Sequence, residues 1–254
     1  MNQLFFREFG QGEPLIILHG LLGASDNWVT LGKQYGQHFH VIVPDQRNHG
    51  QSFHSDEFDY SIMAQDLQAL VDEKGFNAFN LMGHSMGGKV VMQYALHHPG
   101  RVNKLIVADM APKAYKMDYN LIFEALRSID IDGLGSRNEA EIVLAQRIEN
   151  FAMRQFLLKN LTRNTDGFEW RPNLAVIESN INKLGQWMLS DSVFEEPTLF
   201  ISGIKSGYVT KDDRESIKKH FPNSQFAELD AGHWLHAELP NDFLETTLRF
   251  LESK

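Results

Sequence analysis

The stretch Gly83-His84-Ser85-Met86-Gly87-Gly88 decides the fold of this chain. An apolar segment typical of a buried strand, residues 80–82, precedes it, and a helical pattern covers residues 86–97. A Gly-x-Ser-x-Gly sequence between a strand and a helix predicts a sharp turn that holds the serine hydroxyl clear of the carboxyl edge of a sheet. The glycines fit because side chains there would collide with neighbouring backbone. The alternative is a glycine-rich turn that only tightens strand–helix packing.

Short apolar segments alternate with helical patterns along much of the chain. The other predicted buried strands cover residues 14–18, 41–43, 104–108 and 198–201, and the other predicted helices cover residues 62–71, 214–220 and 243–251. This alternation predicts an α/β fold with a mostly parallel central sheet and helices on both faces. Residues 4–9, followed by Gly10-Gln11-Gly12, are predicted to form an antiparallel edge strand.

The alternation breaks in residues 112–190, where the pattern is helical throughout. The sheet pattern resumes at Pro197, so the core must close across this segment. We therefore predict a core domain of residues 1–111 and 191–254, with residues 112–190 as a helical cap inserted after the strand that ends at Asp109. Such a cap would lie as a lid over the carboxyl edge of the sheet, above Ser85.

The composition excludes several classes of function. The 254 residues include 24 Lys and Arg against 33 Asp and Glu, which gives a net charge of −9, and they include no cysteine. A cysteine nucleophile, a thiolate metal site and a disulfide are therefore excluded, and the acidic balance argues against a nucleic-acid partner. No targeting sequence or apolar run of membrane-spanning length is visible, so we expect no membrane association, a cytoplasmic location, and a monomer or small homo-oligomer.

A serine hydroxyl needs a base to act as a nucleophile, and His233 is the histidine best placed to supply one. It follows Ala231-Gly232 in a predicted loop between the last strand, residues 225–229, and the final helix. A histidine in this position completes the chain order serine, acid, histidine that is typical of α/β-hydrolases. His236 is the nearest alternative base, and an ordinary surface histidine is the alternative interpretation of His233.

A second loop is predicted to converge on the same place. The strand of residues 14–18 runs into His19-Gly20-Leu21-Leu22-Gly23. An oxyanion hole needs two backbone N–H groups, one from the residue after the nucleophile and one from an earlier strand–helix loop. Met86 is predicted to supply the first and Leu21 the second. A plain turn is the alternative for the His-Gly loop.

Taken together, these motifs resemble the α/β-hydrolase fold superfamily. More specifically, the chain is similar to the small bacterial esterase and thioesterase group related to the YbfF-type esterases and to the mitochondrial abhydrolase-domain-11 proteins. The resemblance rests on residues 19–23, 45–52, 83–89, 109–112 and 232–238, among which Arg47-Asn48-His49-Gly50 and Gly83 to Lys89 are the more specific. It implies the α/β-hydrolase fold and acyl-ester hydrolysis.

The acid of the triad departs from the commonest pattern of that superfamily. The acid is expected in the loop after the strand that follows the cap, but residues 203–210 contain no carboxylate and carry Ser206 in that neighbourhood. Asp212 and Asp213 come next and fit charges at the start of a helix. Asp109 directly follows the strand of residues 104–108, and the resembled group implies this arrangement. We predict Asp109 as the acid, with Asp212, Asp213, another carboxylate or a serine–histidine dyad as alternatives.

Several side chains are candidates for contacting the substrate. Those in predicted loops beside the site are Trp28, Ser206, Tyr208 and Trp234, of which Ser206 is alternatively a hydrogen-bond partner of Asp109 or His233 or a plain loop serine. Those in the predicted cap are Tyr119, Phe123, Phe151, Phe156 and Trp170, for which internal packing is the alternative. Lys89 and Arg47 are the local cations that would favour an anionic substrate such as a coenzyme A thioester, with a surface position as the alternative for Lys89.

The sequence therefore predicts a serine hydrolase in which Ser85, His233 and Asp109 cleave small-molecule acyl esters through an acyl-enzyme intermediate. We expect short- to medium-chain acyl groups, with acyl thioesters as a further class, and no cofactor or metal ion. A serine at position 85 excludes the relatives that use an aspartate nucleophile, such as haloalkane dehalogenases and epoxide hydrolases. Two alternatives remain: a carbon–carbon bond hydrolase or lyase resembling the menaquinone-pathway members, which needs a basic pocket for a dicarboxylate, and a non-catalytic ligand-binding member.

Overall fold

The computed structural model describes residues 3–165, 167–187 and 191–253. Its main sheet has seven strands in the order β1-β3-β2-β4-β5-β8-β9. These strands are β1 (Phe6–Phe9), β2 (Pro14–Leu18), β3 (His40–Pro44), β4 (Phe79–His84), β5 (Val102–Ala108), β8 (Thr198–Gly203) and β9 (Ser224–Leu229). Strand β1 pairs antiparallel with β3, and the other neighbours pair parallel. The predicted mostly parallel sheet with an antiparallel edge strand is confirmed.

Helices cover both faces of this sheet. The helices of the described residues are α1 (Val29–Tyr35), α2 (Tyr60–Glu73), α3 (Met86–His97), α4 (Asn120–Arg127), α5 (Arg137–Ala145), α6 (Phe151–Leu158), α7 (Leu174–Gly185), α8 (Asp213–His220), α9 (Leu235–Glu238) and α10 (Pro240–Glu252), of which α2 and α3 pack on one face and α1 and α10 on the other. The predicted helix over residues 86–97 coincides with α3, whereas α1 was not predicted. None of the helices in the described ranges combines the length and apolar character needed to cross a membrane.

The inner strands of the sheet are buried on both faces, which explains their continuous apolar sequences. In β2, Ile16 and Leu18 pack into one core with α2 and α3, while Leu15 and Ile17 pack into a second core with α1 and α10. Alternate side chains of a strand point to opposite faces, so a run of aliphatic residues fills two cores at once.

The segment predicted to be helical throughout contains a short hairpin as well as helices. Strands β6 (Leu161–Arg163) and β7 (Phe168–Trp170) pair antiparallel between α6 and α7. Asn164 and Gly167 close the hairpin by two hydrogen bonds, from Asn164 N–H to the Gly167 carbonyl and from Gly167 N–H to Asn164 Oδ1. Gly167 has a φ of 148°, a conformation that glycine adopts most readily. The helical prediction was wrong here because this turn was missed.

The carboxyl ends of the parallel strands meet at one edge of the sheet. Ser85 directly follows β4 and Asp109 directly follows β5, and these strands are neighbours. The loop after β2 begins with His19, and the loop after β9 carries His233. The topology therefore places the predicted site residues at the same edge of the sheet.

Candidate active site

Ser85 lies in the sharp turn between β4 and α3. Its φ of 53° and ψ of −118° place it in a rarely populated backbone region. A Cβ atom at Gly83 would lie 2.3 Å from the Gly87 carbonyl oxygen, and one at Gly87 would lie 2.5 Å from the Leu18 carbonyl oxygen. Glycine is required at both positions because any side chain would push α3 away from the sheet.

Three of the predicted residues form a continuous chain of polar contacts. His233 Nε2 lies 2.9 Å from Ser85 Oγ, and His233 Nδ1 lies 2.6 Å from Asp109 Oδ2. The carboxylate can only accept a hydrogen bond, so the Nδ1 atom carries the hydrogen and Nε2 is free to accept the serine proton. This arrangement matches the geometry of a serine–histidine–acid triad.

The Asp109 carboxylate is fully buried and is held on both of its oxygens. Gly203 N–H donates to Oδ1 over 3.1 Å, and the Ser206 hydroxyl donates to Oδ2. Both donors come from the end of β8 and the loop after it. Hydrogen bonds to the ionised form compensate for its burial and fix its orientation toward His233.

The alternative acids lie elsewhere. Asp213 begins α8, accepts from Thr210 N–H over 2.7 Å and forms an ion pair of 2.7 Å with Lys113. Asp212 directly precedes this helix. In the part of the chain that the structure describes, the carboxylate in contact with His233 is Asp109. The interpretation of Asp213 as a charge at the start of a helix agrees with this position.

The predicted oxyanion-hole donors face the same space. Leu21 and Met86 line a cavity that also reaches Ser85. Met86 is the first residue of α3, so its N–H has no partner within the helix. Leu22 has a φ of 55° and donates its N–H to His49 Nε2 over 3.1 Å, which shapes the loop around Leu21. Donation from Leu21 and Met86 to an oxyanion stays a prediction.

Four further histidines lie near the site; the sequence offered His236 as an alternative base and assigned no role to the other three. His19, His49, His84 and His236 are all buried. Burial lowers the pKa of His19 to about 4 and of His49 and His236 to about 3, and it holds the pKa of His84 well below the ordinary value. These rings are therefore neutral at pH 7.

Each neutral ring has a structural contact. His19 Nε2 accepts from Gln46 N–H over 2.9 Å, and the His236 ring stacks on Trp28 with centroids 4.4 Å apart. His84 Nε2 donates to the backbone carbonyl of His233 over 2.8 Å. Because His84 adjoins Ser85 in sequence, this bond ties the base loop to the nucleophile turn. Its place inside the Gly-x-Ser-x-Gly stretch was the available signal for such a role.

Two cavities meet at Ser85. The larger includes His233 in its lining, whereas the smaller is lined by Lys89. Ser85, Leu21 and Tyr119 line both.

The candidate substrate contacts are divided between these cavities. Trp28 and Trp234 line the larger one, and Tyr208 lines the smaller one. Ser206 is not among the residues that line either cavity and instead contacts Asp109. The structure therefore favours the alternative interpretation of Ser206, a hydrogen-bond partner of Asp109, over a substrate contact.

The predicted cap contributes fewer aromatic lining residues than expected. Tyr119 and Phe156 line the cavities. Phe123 is buried within the core, and Phe151 is 62% exposed. Trp170 packs in the hairpin against the core. Internal packing or exposure therefore describes Phe123, Phe151 and Trp170 better than contact with a substrate.

Neither of the two candidate cations is free to attract an anionic substrate. Lys89 is only 1% exposed, and its Nζ donates to the carbonyls of Gln186 over 2.7 Å and Gly185 over 3.2 Å. Burial lowers the pKa of Lys89 to about 8. Arg47 forms two hydrogen bonds with Asp66. A surface position for Lys89 is wrong because residues 184–186, far away in sequence, cover it.

Comparisons with known proteins bear on the family of this chain. The family model described as "alpha/beta hydrolase fold" matches residues 13–130. The sn-1-specific diacylglycerol lipase ABHD11 of Danio rerio is 34% identical over 252 residues, which cover 96% of this chain and 80% of that protein. The chain belongs to the α/β-hydrolase family.

Other relatives place this α/β hydrolase more narrowly. Esterase YbfF of Escherichia coli (strain K12) is 33% identical over 240 residues, covering 94% of this chain and 92% of that protein. The solved structure of a "Marine microorganism esterase" superimposes with a TM-score of 0.96 at 42% identity, covering 98% of this chain and 100% of that one. The resemblance to the group of YbfF and ABHD11 is confirmed, and the chain is an α/β hydrolase of the esterase or lipase type.

Proposed function

We propose that this α/β hydrolase is a serine hydrolase that cleaves carboxylic esters of short- to medium-chain acyl groups, with acyl thioesters as a second class. The observation that carries the proposal is the contact chain from Ser85 Oγ to His233 Nε2 over 2.9 Å and from His233 Nδ1 to Asp109 Oδ2 over 2.6 Å. The esterase and lipase names of the relatives support a small-molecule ester as substrate.

In the first half-reaction, His233 Nε2 takes the proton of Ser85 Oγ as the oxygen attacks the ester carbonyl carbon. The carbonyl oxygen becomes an oxyanion, which the N–H groups of Leu21 and Met86 are placed to stabilise. The bond from carbon to the leaving oxygen or sulfur then breaks, its electron pair stays with the leaving atom, and that atom takes the proton from His233. Asp109 keeps His233 in the required tautomer and stabilises its protonated form.

In the second half-reaction, water replaces the alcohol or thiol. His233 removes a proton from the water as its oxygen attacks the acyl carbon, and the same oxyanion contacts apply. Collapse of the intermediate releases the carboxylic acid and returns the proton to Ser85. No cofactor enters these steps.

The proposal includes a cap formed by residues 112–190. Ile122 on α4, together with Met153 and Phe156 on α6, lines the larger cavity opposite the loops that carry Ser85 and His233. Such a cover excludes water and selects the substrate.

The surroundings of Lys89 favour an ester over a dicarboxylate. A carbon–carbon bond hydrolase of this fold needs a basic pocket, but Lys89 is the one Lys or Arg among the described residues that line the two cavities. Its ammonium is already held by backbone carbonyls. The intact contact chain at Ser85 argues against a non-catalytic ligand-binding role.

Replacement of Ser85 by alanine tests the proposal. The Ser85→Ala protein should lose turnover of p-nitrophenyl acetate and butyrate by several orders of magnitude, because the nucleophile is gone while the fold remains. Unchanged circular dichroism and melting temperature provide the control for folding. A fluorophosphonate probe should label the wild-type protein at Ser85 and should not label the variant. Undiminished turnover by Ser85→Ala would overturn the assignment.

A further inference from the structure

We infer that the two cavities at Ser85 divide the substrate: the acyl group enters the smaller cavity beside Lys89, and the alcohol or thiol group occupies the larger one. The closed far end of the smaller cavity limits the acyl group to a short, uncharged chain. This inference rests on the proposed serine-hydrolase function and specifies its substrate as a short-chain ester of a bulky alcohol or thiol.

The direction of proton transfer assigns the larger cavity to the leaving group. The leaving atom must receive its proton from His233 Nε2, so it must lie on the His233 side of the tetrahedral carbon. His233 lines the larger cavity and is not among the residues that line the smaller one. The Tyr208 ring stacks on the His233 ring, with centroids 4.0 Å apart, and lines the smaller cavity. Tyr208 therefore stands between the base and the smaller cavity.

The oxyanion contacts agree with this assignment. Met86 lines the smaller cavity, and Leu21 lines both. In the tetrahedral intermediate, the carbon is bonded to Ser85 Oγ, its oxyanion points at these N–H groups and its leaving atom points at His233. Its one remaining substituent is the acyl chain. The space left for that substituent is the smaller cavity.

Leu184 and Lys89 line the smaller cavity, and we take the backbone of residues 184–186, whose carbonyls contact Lys89 Nζ, as the wall at its far end. Tyr60 Oη donates to the Leu184 carbonyl over 2.7 Å, Tyr115 N–H donates to the Gly185 carbonyl over 2.7 Å, and Lys89 Nζ donates to the Gln186 carbonyl over 2.7 Å. Each carbonyl of this wall is held by a group on a different part of the chain. An ammonium ion at the carboxyl end of α7 is also favoured by the helix dipole.

Close packing leaves little freedom for this wall to recede. A Cβ atom at Gly185 would lie 2.5 Å from the Tyr115 carbonyl oxygen and 2.8 Å from Met117 Cγ. Met117 and Leu184 both line the smaller cavity, so α7 packs directly on the segment that forms its side. A long acyl chain would have to separate these contacts.

The chemistry of the smaller cavity suits an uncharged acyl group. Its lining is mainly aromatic rings and methionine side chains: Tyr60, Tyr115, Tyr119, Tyr208, Met86, Met110 and Met117. The hydroxyls of Tyr60 and Tyr115 donate to the backbone carbonyls of Leu184 and Tyr208. These two hydroxyls and the Lys89 ammonium already donate to groups of the protein. They are therefore not available to bind a carboxylate at the end of an acyl chain.

A pair of isomeric esters tests the assignment on the wild-type protein. In 2-phenylethyl acetate the bulky group is on the alcohol side, whereas in methyl 3-phenylpropanoate the same atoms place it on the acyl side. After normalisation to alkaline hydrolysis rates, we expect kcat/KM to be at least tenfold higher for 2-phenylethyl acetate. An equal or reversed preference would overturn the assignment while leaving the serine-hydrolase function intact. If the protein cleaves neither of these two esters and also fails to cleave p-nitrophenyl acetate, the proposed function itself is overturned.

Two alanine variants separate the cavities. Met117 lines only the smaller cavity and Ile122 only the larger one. Met117→Ala should raise the ratio of p-nitrophenyl octanoate to acetate kcat/KM about tenfold, whereas Ile122→Ala should leave that ratio within twofold and shift the preference among acetates of different alcohols. The opposite pattern would overturn the inference. Met110→Ala, which also changes only the smaller cavity, replaces Met117→Ala if the latter does not fold.

Discussion

Ser206 donates its hydroxyl hydrogen to Oδ2 of Asp109. The same oxygen contacts His233 Nδ1, so the loop after β8 helps to orient the acid although it contains no carboxylate. This is the loop in which the acid is expected in the commonest pattern of the family. In this protein it supplies a hydrogen-bond donor to an acid that follows β5.

Removal of this donor should weaken catalysis without weakening substrate binding. In Ser206→Ala, the Asp109 carboxylate loses a hydrogen bond worth on the order of 1.5 kcal/mol, so kcat should fall about tenfold. KM should stay within twofold because Ser206 lines neither cavity. Steady-state kinetics on p-nitrophenyl butyrate measures both. Ser206→Thr keeps the hydroxyl and should restore most of kcat, and a rise in KM with constant kcat would contradict the role.

Asp109→Asn should lower kcat far more, by up to about 10⁴-fold, because an amide no longer enforces the His233 tautomer. Asp213→Asn is the matched control, since Asp213 pairs with Lys113 at the start of α8. It should keep kcat within about twofold and change mainly the melting temperature. Kinetics of the two purified variants distinguishes the acids, and a larger loss in Asp213→Asn would show that the assignment is wrong.

Gly87→Ala should destabilise the whole protein. The new Cβ would lie 2.5 Å from the Leu18 carbonyl oxygen, a backbone atom at the end of the buried strand β2 that cannot move away cheaply. We expect a loss of about 3 kcal/mol or more in the free energy of unfolding. Gly100→Ala has no atom within 4 Å of its Cβ and should change this free energy by less than about 0.5 kcal/mol. Urea denaturation compares the two, and equal stabilities would contradict the prediction.

The buried histidines should make the protein sensitive to acid. The pKa of His19, His49 and His236 is lowered by burial to between about 3 and about 4, so below pH 6.5 the unfolded chain binds protons that the folded protein does not. The free energy of unfolding therefore rises with pH across this window, and it falls as pH decreases from 6.5 to 4 by about 1 kcal/mol per pH unit for each histidine.

Urea denaturation at pH 7.5, 6.5, 5.5 and 4.5 measures this slope. His49→Gln retains an acceptor for Leu22 N–H but cannot be protonated. The slope of the unfolding free energy against pH should therefore fall by the amount that corresponds to about one proton. A slope identical to that of the wild-type protein would contradict the assignment of His49 as a buried neutral group.

Much of the fold and of the polar constellation is predictable from the sequence because each part carries a local signal. The strand before Ser85 and the helix after it are visible in the apolar pattern, and parallel strands bring their carboxyl ends to one edge whatever their order in the sheet. Asp109 and His233 each follow a recognisable strand, so their convergence with Ser85 follows from topology.

The features that the sequence did not predict depend on distant parts of the chain. Lys89 lies one turn into α3, where a lysine ordinarily faces solvent, and the Gln186 carbonyl that accepts its hydrogen bond is 97 residues away. The bond from Ser206 to Asp109 also spans 97 residues, and the sequence left it as one of several interpretations of Ser206. The hairpin of β6 and β7 was missed for a different reason: its strands are three residues long, too short for a periodicity to emerge.

Ser85 and Asp109 both have positive φ angles, 53° and 51°, at the ends of the adjacent strands β4 and β5. The separation of nucleophile and acid is therefore set by the spacing of hydrogen-bonded strands, which is about 4.8 Å and among the least variable distances in proteins. For protein engineering, this makes the proposed nucleophile and acid a fixed frame. The cap and the walls of both cavities can be redesigned for new esters without disturbing the alignment on which turnover depends.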